Sequence, residues 1–200
     1  MVSISRLSEK KQDFEIWDSF LRGDQKAFEQ LYQRYFKSMA HYGMKLLKDR
    51  QLVEDAIQDV FIDLWRRREH LAEAHQPKFY LFRALRNQVL RNATNDIFEE
   101  SEDIDDFLDY LGTLSAEQQT IEKETLTEKA DKIKDAITRL SPRQREAVML
   151  RFYHGFSLEE TASLMKLSKQ VVSNLFYRSY TVLRMLIEPY AIIFISCFLQ

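Results

Sequence analysis

An all-α fold of two small helical domains is what this sequence predicts, on three observations. Its 200 residues hold Gly 4 and Pro 3, too few breakers for the many turns of an all-β chain. Apolar residues recur at three- and four-residue steps, the period of an amphipathic helix. No run of β-branched residues alternates with polar ones, as a half-buried strand would require. A composition that is 45% hydrophobic and 30% charged supplies a core and excludes a globally disordered chain.

Asp24, after Gly23, can cap a first helix by accepting its orphan amides. Phe28, Leu31, Tyr32, Tyr35, Met39 and Leu46 form its apolar face, to about Lys48. Asp49 caps the next, with Val53, Ile57, Val60, Phe61, Leu64 and Trp65 as its stripe. Arg66, Arg67 and Arg68 stand at its carboxyl end and oppose the macrodipole. Pro77 suits a first-turn position and opens a third helix, with Leu81, Phe82, Leu85 and Val89 inward. These three helices bury their stripes on one another as a small bundle.

The second domain starts near Leu126, where Ala130, Ile133, Ile137 and Leu140 mark a helix. Ser141, Pro142 and Gln144 read as N-cap, first helical residue and capping-box partner. That helix runs to about Tyr153 and stops at Gly155, a left-handed terminator. Ser157 with Glu160 is a second capping box, and Ser168 caps a last helix to about Ile187.

Charge divides the chain in three. Residues 1–96 carry net +3, residues 97–136 net −9 and residues 137–200 net +4. Like-charge clusters with weak periodicity mark the middle as a solvated linker. Basic ends on an acidic tether suit a protein that touches polyanions. We divide the chain into a domain over 1–96, a linker over 97–127 and a domain over 128–200. Cys197 has no partner for a disulfide, so a reducing cytoplasmic compartment is expected. The start lacks a secretory pattern, and Ala191 to Leu199 is about half the length of a bilayer span.

The segment SLEETASLMKLSKQVVSNLFYRSY carries the most information. A short helix from Leu158 to Met165, a three-residue turn and a second capped helix make a helix-turn-helix. Ala162 sits where the two would cross. Leu158, Leu164, Leu167, Val172 and Phe176 can fill the shared core. Such a unit presents its second helix to the major groove. Lys169, Gln170, Ser173, Asn174 and Tyr177 face outward, with Arg178 and Arg184 toward phosphates. Any three-helix bundle shows similar capped pairs, so the pattern by itself fits a plain bundle as well.

At this point the chain resembles an ECF sigma factor, a small two-domain RNA polymerase specificity subunit of the sigma-70 family. FEQLYQRYFKSMAHYGMKLLKDRQLVEDAIQDVFIDLWRRREHL is similar to the family's first region, VEDAIQDVFIDLW most specifically. FYLFRALRNQVLRN resembles the helix that engages the melted promoter. LSPRQREAVMLRFYHGFSLEETASLMKLS resembles the domain that reads the minus-thirty-five element.

The resemblance implies three sets of contacts. Asp55, Gln58, Asp59 and Ile62 share one helix face by spacing; the family uses it against a basic coiled coil of core RNA polymerase. A solvated helix face is the plain alternative for the two aspartates. Arg83, Arg86, Asn87 and Arg91, with Tyr80 beside them, would hold the minus-ten element of promoter DNA by phosphate contact and stacking. The loop EHLAEAHQ would receive a flipped base. Lys169, Gln170, Ser173, Asn174, Tyr177 and Arg178 would serve the minus-thirty-five element. The linker would run through the polymerase's basic channel. The family also implies an inhibitory anti-sigma factor that clamps both domains.

Some residues depart from the family pattern. Lys166 stands at a turn position usually held by Gly, where a left-handed backbone costs roughly 1 kcal/mol. Gln170 replaces a common Gly, and Ser173 and Leu175 stand where basic or polar groups are frequent. The ending AIIFISCFLQ fits either a packed tail or a surface for a regulatory partner. A stand-alone regulator binding duplex DNA through residues 141–187 is the second functional class. An enzyme is the third, and little supports it: no catalytic residue, cofactor or metal is expected. His41, His70, His75 and His154 are scattered, no Gly-rich phosphate loop is present, and Cys197 lies in an apolar tail.

Overall fold

A computed structural model of the chain describes residues 2–71, 76–92 and 136–186. The described residues are helical, with no strand among them. The chain divides into two compact units, Met1–Glu99 and Glu100–Gln200. The helix expected over 126–135, the acidic linker, positions 72–75 of the loop and the apolar tail with Cys197 lie outside the described residues.

Among its described residues the first unit has four α-helices where the sequence reading has three, α1 (Val2–Leu21), α2 (Gln25–Leu46), α3 (Arg50–Arg67) and α4 (Pro77–Asn92), with a 3-10 turn at Arg68–His70 after α3. Helix α1 is the correction. It has no capping signature at its start, and its clearest apolar signal is Ile16, Trp17 and Phe20. Yet Trp17 and Phe20 are among the largest fully buried side chains of the protein. A polar cluster fixes α1 to α2. Arg34 Nε lies 2.6 Å from Asp13 Oδ1, and Arg34 Nη1 donates to Gln12 Oε1 at 3.1 Å. The Tyr35 phenol is buried beside Asp13, and burial first, then this carboxylate, raise its pKa.

The other starts are as the sequence sets them. Asp24 accepts from the amides of Lys26 at 2.8 Å and Ala27 at 3.4 Å. Asp49 accepts from Leu52 at 3.1 Å. Pro77 opens α4, where the missing N–H costs nothing. Leu31, Met39, Tyr42, Leu46, Ile57, Leu64, Leu81, Phe82 and Leu85 then close the core. Burying each such side chain contributes roughly 1.5–3 kcal/mol. Tyr42 stacks on Phe82 with ring centres 5.4 Å apart. Helices α2 and α3 approach closely at Gly43, where an added Cβ would stand 2.5 Å from Val53 Cγ1.

In the second unit, residues 136–138 are helical, followed by α5 (Pro142–Val148), a single π turn (Met149–Tyr153), α6 (Leu158–Met165) and α7 (Lys169–Leu186). Both capping boxes form. Ser141 N–H donates to Gln144 Oε1 at 2.8 Å, and Ser157 N–H to Glu160 Oε2 at 2.6 Å. The expected helix to Tyr153 widens in its last turn, where the His154 amide reaches back to the Met149 carbonyl at 3.0 Å. Gly155 follows at φ +73, the left-handed conformation of a helix terminator. Ala136, Ile137, Leu140, Val148 and Leu183 form a core cluster, with Phe152, Tyr153 and Val182 against it.

Candidate nucleic-acid interface

The α6–α7 turn fixes how α7 is presented. Lys166 adopts φ 55 and ψ 40, the left-handed conformation its position implies. The Leu167 amide donates to the Ala162 carbonyl at 3.0 Å and the Lys166 amide to Ser163 at 3.3 Å. This pair of bonds is a Schellman cap, and the carbonyls it satisfies offset the backbone strain. Ala162 is buried at the crossing, where its small side chain lets the helices approach.

Val172, Phe176, Ser179 and Leu183 are the buried stripe of α7. Ser179 stays satisfied by donating to the Leu175 carbonyl at 2.8 Å. Lys169, Gln170, Ser173, Asn174, Tyr177 and Arg178 are all exposed, Tyr177 at 71%. Three of them are held. Lys169 Nζ lies 2.8 Å from Glu159 Oε1 on α6, and this hydrogen bond lowers the Glu159 pKa. Gln170 Nε2 donates to Asn174 Oδ1 at 3.1 Å.

On α4, Arg83 and Arg91 are exposed, while Arg86 and Asn87 are half-buried. Tyr80 departs from a free stacking residue. Its ring lies against Trp17, centres 5.7 Å apart, and burial raises its phenol pKa. Asp63 pushes the same way and Arg67 opposes. Arg67 thus stands beside the α4 face, although the sequence reading gives it only a helix-end role.

On α3, Asp55, Gln58, Asp59 and Ile62 are exposed together, as their spacing requires. Gln51 Nε2 donates to Asp55 Oδ1 at 3.1 Å. Gln88 of α4 donates to Asp59 Oδ2 at 3.0 Å and accepts from Arg91 Nη2. Gln88 therefore links the acidic face of α3 to the basic face of α4. Sequence reasoning passed over it because an uncharged amide on a helix gives no signal without its cross-helix partner. Ile62, exposed at 48%, borders an open groove of about 410 Å³ lined also by Gln25, Phe28, Trp65 and Arg66. Phe61 is core, as expected; Trp65 packs on Phe28 at 5.0 Å and still lines this groove.

Among the described residues no group of three or more His, Cys, Asp or Glu is placed to hold a metal ion. No described helix is long and apolar enough to cross a membrane.

Two family models match the chain: sigma-70 region 2 over residues 31–95 and sigma-70 region 4 over residues 130–196. The ECF RNA polymerase sigma factor SigX of Bacillus subtilis is 24% identical over 168 residues, 80% of this chain and 83% of that protein. The ECF sigma factor BldN of Streptomyces coelicolor is 25% identical over 181 residues, 90% and 67% of the two chains. Among solved structures, CnrH in complex with the cytosolic domain of CnrY shares the fold. Its TM-score is 0.56 at 21% identity, covering 87% of this chain and 96% of that one. RpoE with the anti-sigma factor NepR from Bartonella quintana gives a TM-score of 0.50 at 19% identity, over 80% and 96%. Region 2 and region 4 in that order, each over one of the two helical units, place this chain in the sigma-70 family of RNA polymerase sigma factors, within its ECF group.

Proposed function

We propose that this chain binds core RNA polymerase through α3, holds the opened minus-ten region on α4, and reads the minus-thirty-five region with α7. The observation that carries the reading is the separation of three exposed faces of different chemistry within one chain. Asp55, Gln58, Asp59 and Ile62 offer carboxylates beside an apolar edge, complementary to a basic helical partner. Arg83 and Arg91, with Arg86, Asn87 and the neighbouring Arg67, offer guanidinium groups for phosphates. Tyr80 contributes an aromatic edge rather than a free ring. Lys169, Gln170, Ser173, Asn174, Tyr177 and Arg178 face outward from a helix whose N-terminal turns enter the major groove.

Promoter opening draws its energy from capture of the extruded base and single strand; no step here consumes a nucleotide. Residues 1–96 and 128–200 act as the two working domains, and residues 97–127 as the acidic tether between them. The reading places the chain in the cytoplasm with the polymerase. An anti-sigma factor is the proposed regulatory partner, since the similar RpoE was solved with the anti-sigma factor NepR.

The test is equilibrium binding of core polymerase by the wild type and by Asp55→Arg with Asp59→Arg. Both positions are exposed, so the double variant should keep its helical circular dichroism. Charge reversal is expected to weaken binding on the order of a hundredfold. Equal affinity would contradict the α3 assignment.

A further inference from the structure

We propose that Asn174 is the adenine-reading side chain of this protein and that Gln170 positions it. The inference rests on the promoter-directing role above and specifies what α7 prefers. Between Lys169 and Tyr177 the helix contains no arginine, and its single lysine is Lys169. A guanine is read by Arg or Lys reaching O6 and N7 together. Lys169, at the first turn, shares its ammonium with Glu159 of α6 at 2.8 Å in an exposed ion pair, which competes with a guanine for that charge. Arg178 lies eight residues beyond Gln170, about 12 Å along the axis, away from the N-terminal turns that meet base edges.

Beside Ser173 and Tyr177, the outward side of the helix, away from Val172 and Phe176, carries an amide pair. Gln170 Nε2 donates to Asn174 Oδ1 at 3.1 Å, one helical turn apart. This bond uses one lone pair of Asn174 Oδ1 and fixes the plane of its amide. The second lone pair and both Nδ2 hydrogens stay available. That set matches adenine in the major groove: Nδ2–H donates to N7, and Oδ1 accepts from the N6 amino group. Gln170 supplies orientation, and Asn174 makes the contact.

The experiment uses the full chain with core polymerase and duplex promoter fragments randomised across the minus-thirty-five element. Wild type is expected to select adenine over guanine at one position by roughly 10- to 100-fold. Asn174→Ala should flatten that position alone, and Asn174→Arg should turn its preference to guanine. Gln170→Ala should lower the adenine preference about twofold, with the salt dependence unchanged. A selected site that neither Asn174 variant alters overturns the inference and leaves the promoter-directing role standing. Failure of the wild-type holoenzyme to enrich any sequence overturns both.

Discussion

Helices α4 and α7 both turn a polar face outward, and they do so with opposite chemistry. The α4 face carries Arg83, Arg86 and Arg91, with Arg67 alongside. The first turns of α7 carry Gln170, Ser173 and Asn174, and their one cation is tied to Glu159. Guanidinium groups attract any phosphate backbone and lose strength with salt. Amides and hydroxyls add little affinity but distinguish base edges. On the function proposed above, the difference amounts to a division of labour: the first unit would grip and the second would discriminate. Their cores fit it. Among the described residues, the first unit closes its helices over a large aromatic core, whereas the second sets its helices with two capping boxes and a left-handed turn.

The comparison breaks most visibly if the arginines of α4 are removed. Arg83→Ala with Arg91→Ala is expected to lower the salt slope of promoter binding by about one per residue. The preferred sequence should not change. Asn174→Ala should do the reverse, changing sequence preference with the slope intact. A shifted preference from the arginine variant would erase the distinction between gripping and reading.

The next effect is on stability of the first unit. Gly43→Ala puts a methyl group against the stiff side chain of Val53, and overpacking of this kind costs about 1–3 kcal/mol. Urea unfolding followed by tryptophan fluorescence reports it cleanly, because both tryptophans, Trp17 and Trp65, belong to that unit. An unchanged midpoint would mean that α2 and α3 are not as close as described.

A smaller gain is expected in the second unit. Lys166→Gly relieves the left-handed backbone at φ 55 and adds unfolded-state entropy, leaving a net stabilisation under about 1 kcal/mol. Thermal unfolding followed by circular dichroism measures it. A loss of stability would show that Lys166 contributes a contact outweighing its strain.

The smallest effect is that of Glu159→Gln. The Lys169–Glu159 pair is exposed on both sides, so little stability depends on it. Because Lys169 lowers the Glu159 pKa, its contribution is present above the ordinary carboxylate range. It is lost as pH falls through the lowered value. At neutral pH no resolvable change in melting temperature is expected.

Much of this architecture is legible from local chemistry. The caps at Asp24, Asp49, Ser141, Ser157 and Ser168, the proline at Pro77 and the left-handed Gly155 each act within one turn, so the sequence alone displays them. Lys166 was legible even as a misfit. Helix α1 was not, because its stability comes from distant partners: Trp17 packs on Tyr80, and Asp13 meets Arg34. The π turn at Met149–Tyr153 keeps ordinary helical composition and gave no signal. Among the site residues, helical spacing identified which side chains share a face. It did not identify what crosses between faces. Gln88, bridging Asp59 and Arg91, and Arg67, beside Tyr80, are products of packing.

The most direct measurement is to sequence the 5′ ends of transcripts made by core RNA polymerase with and without the full chain on genomic DNA. A discrete set of new start sites is expected, each preceded by the same pair of upstream elements. A folded, helical chain that adds no start sites to those of the core enzyme would contradict that expectation.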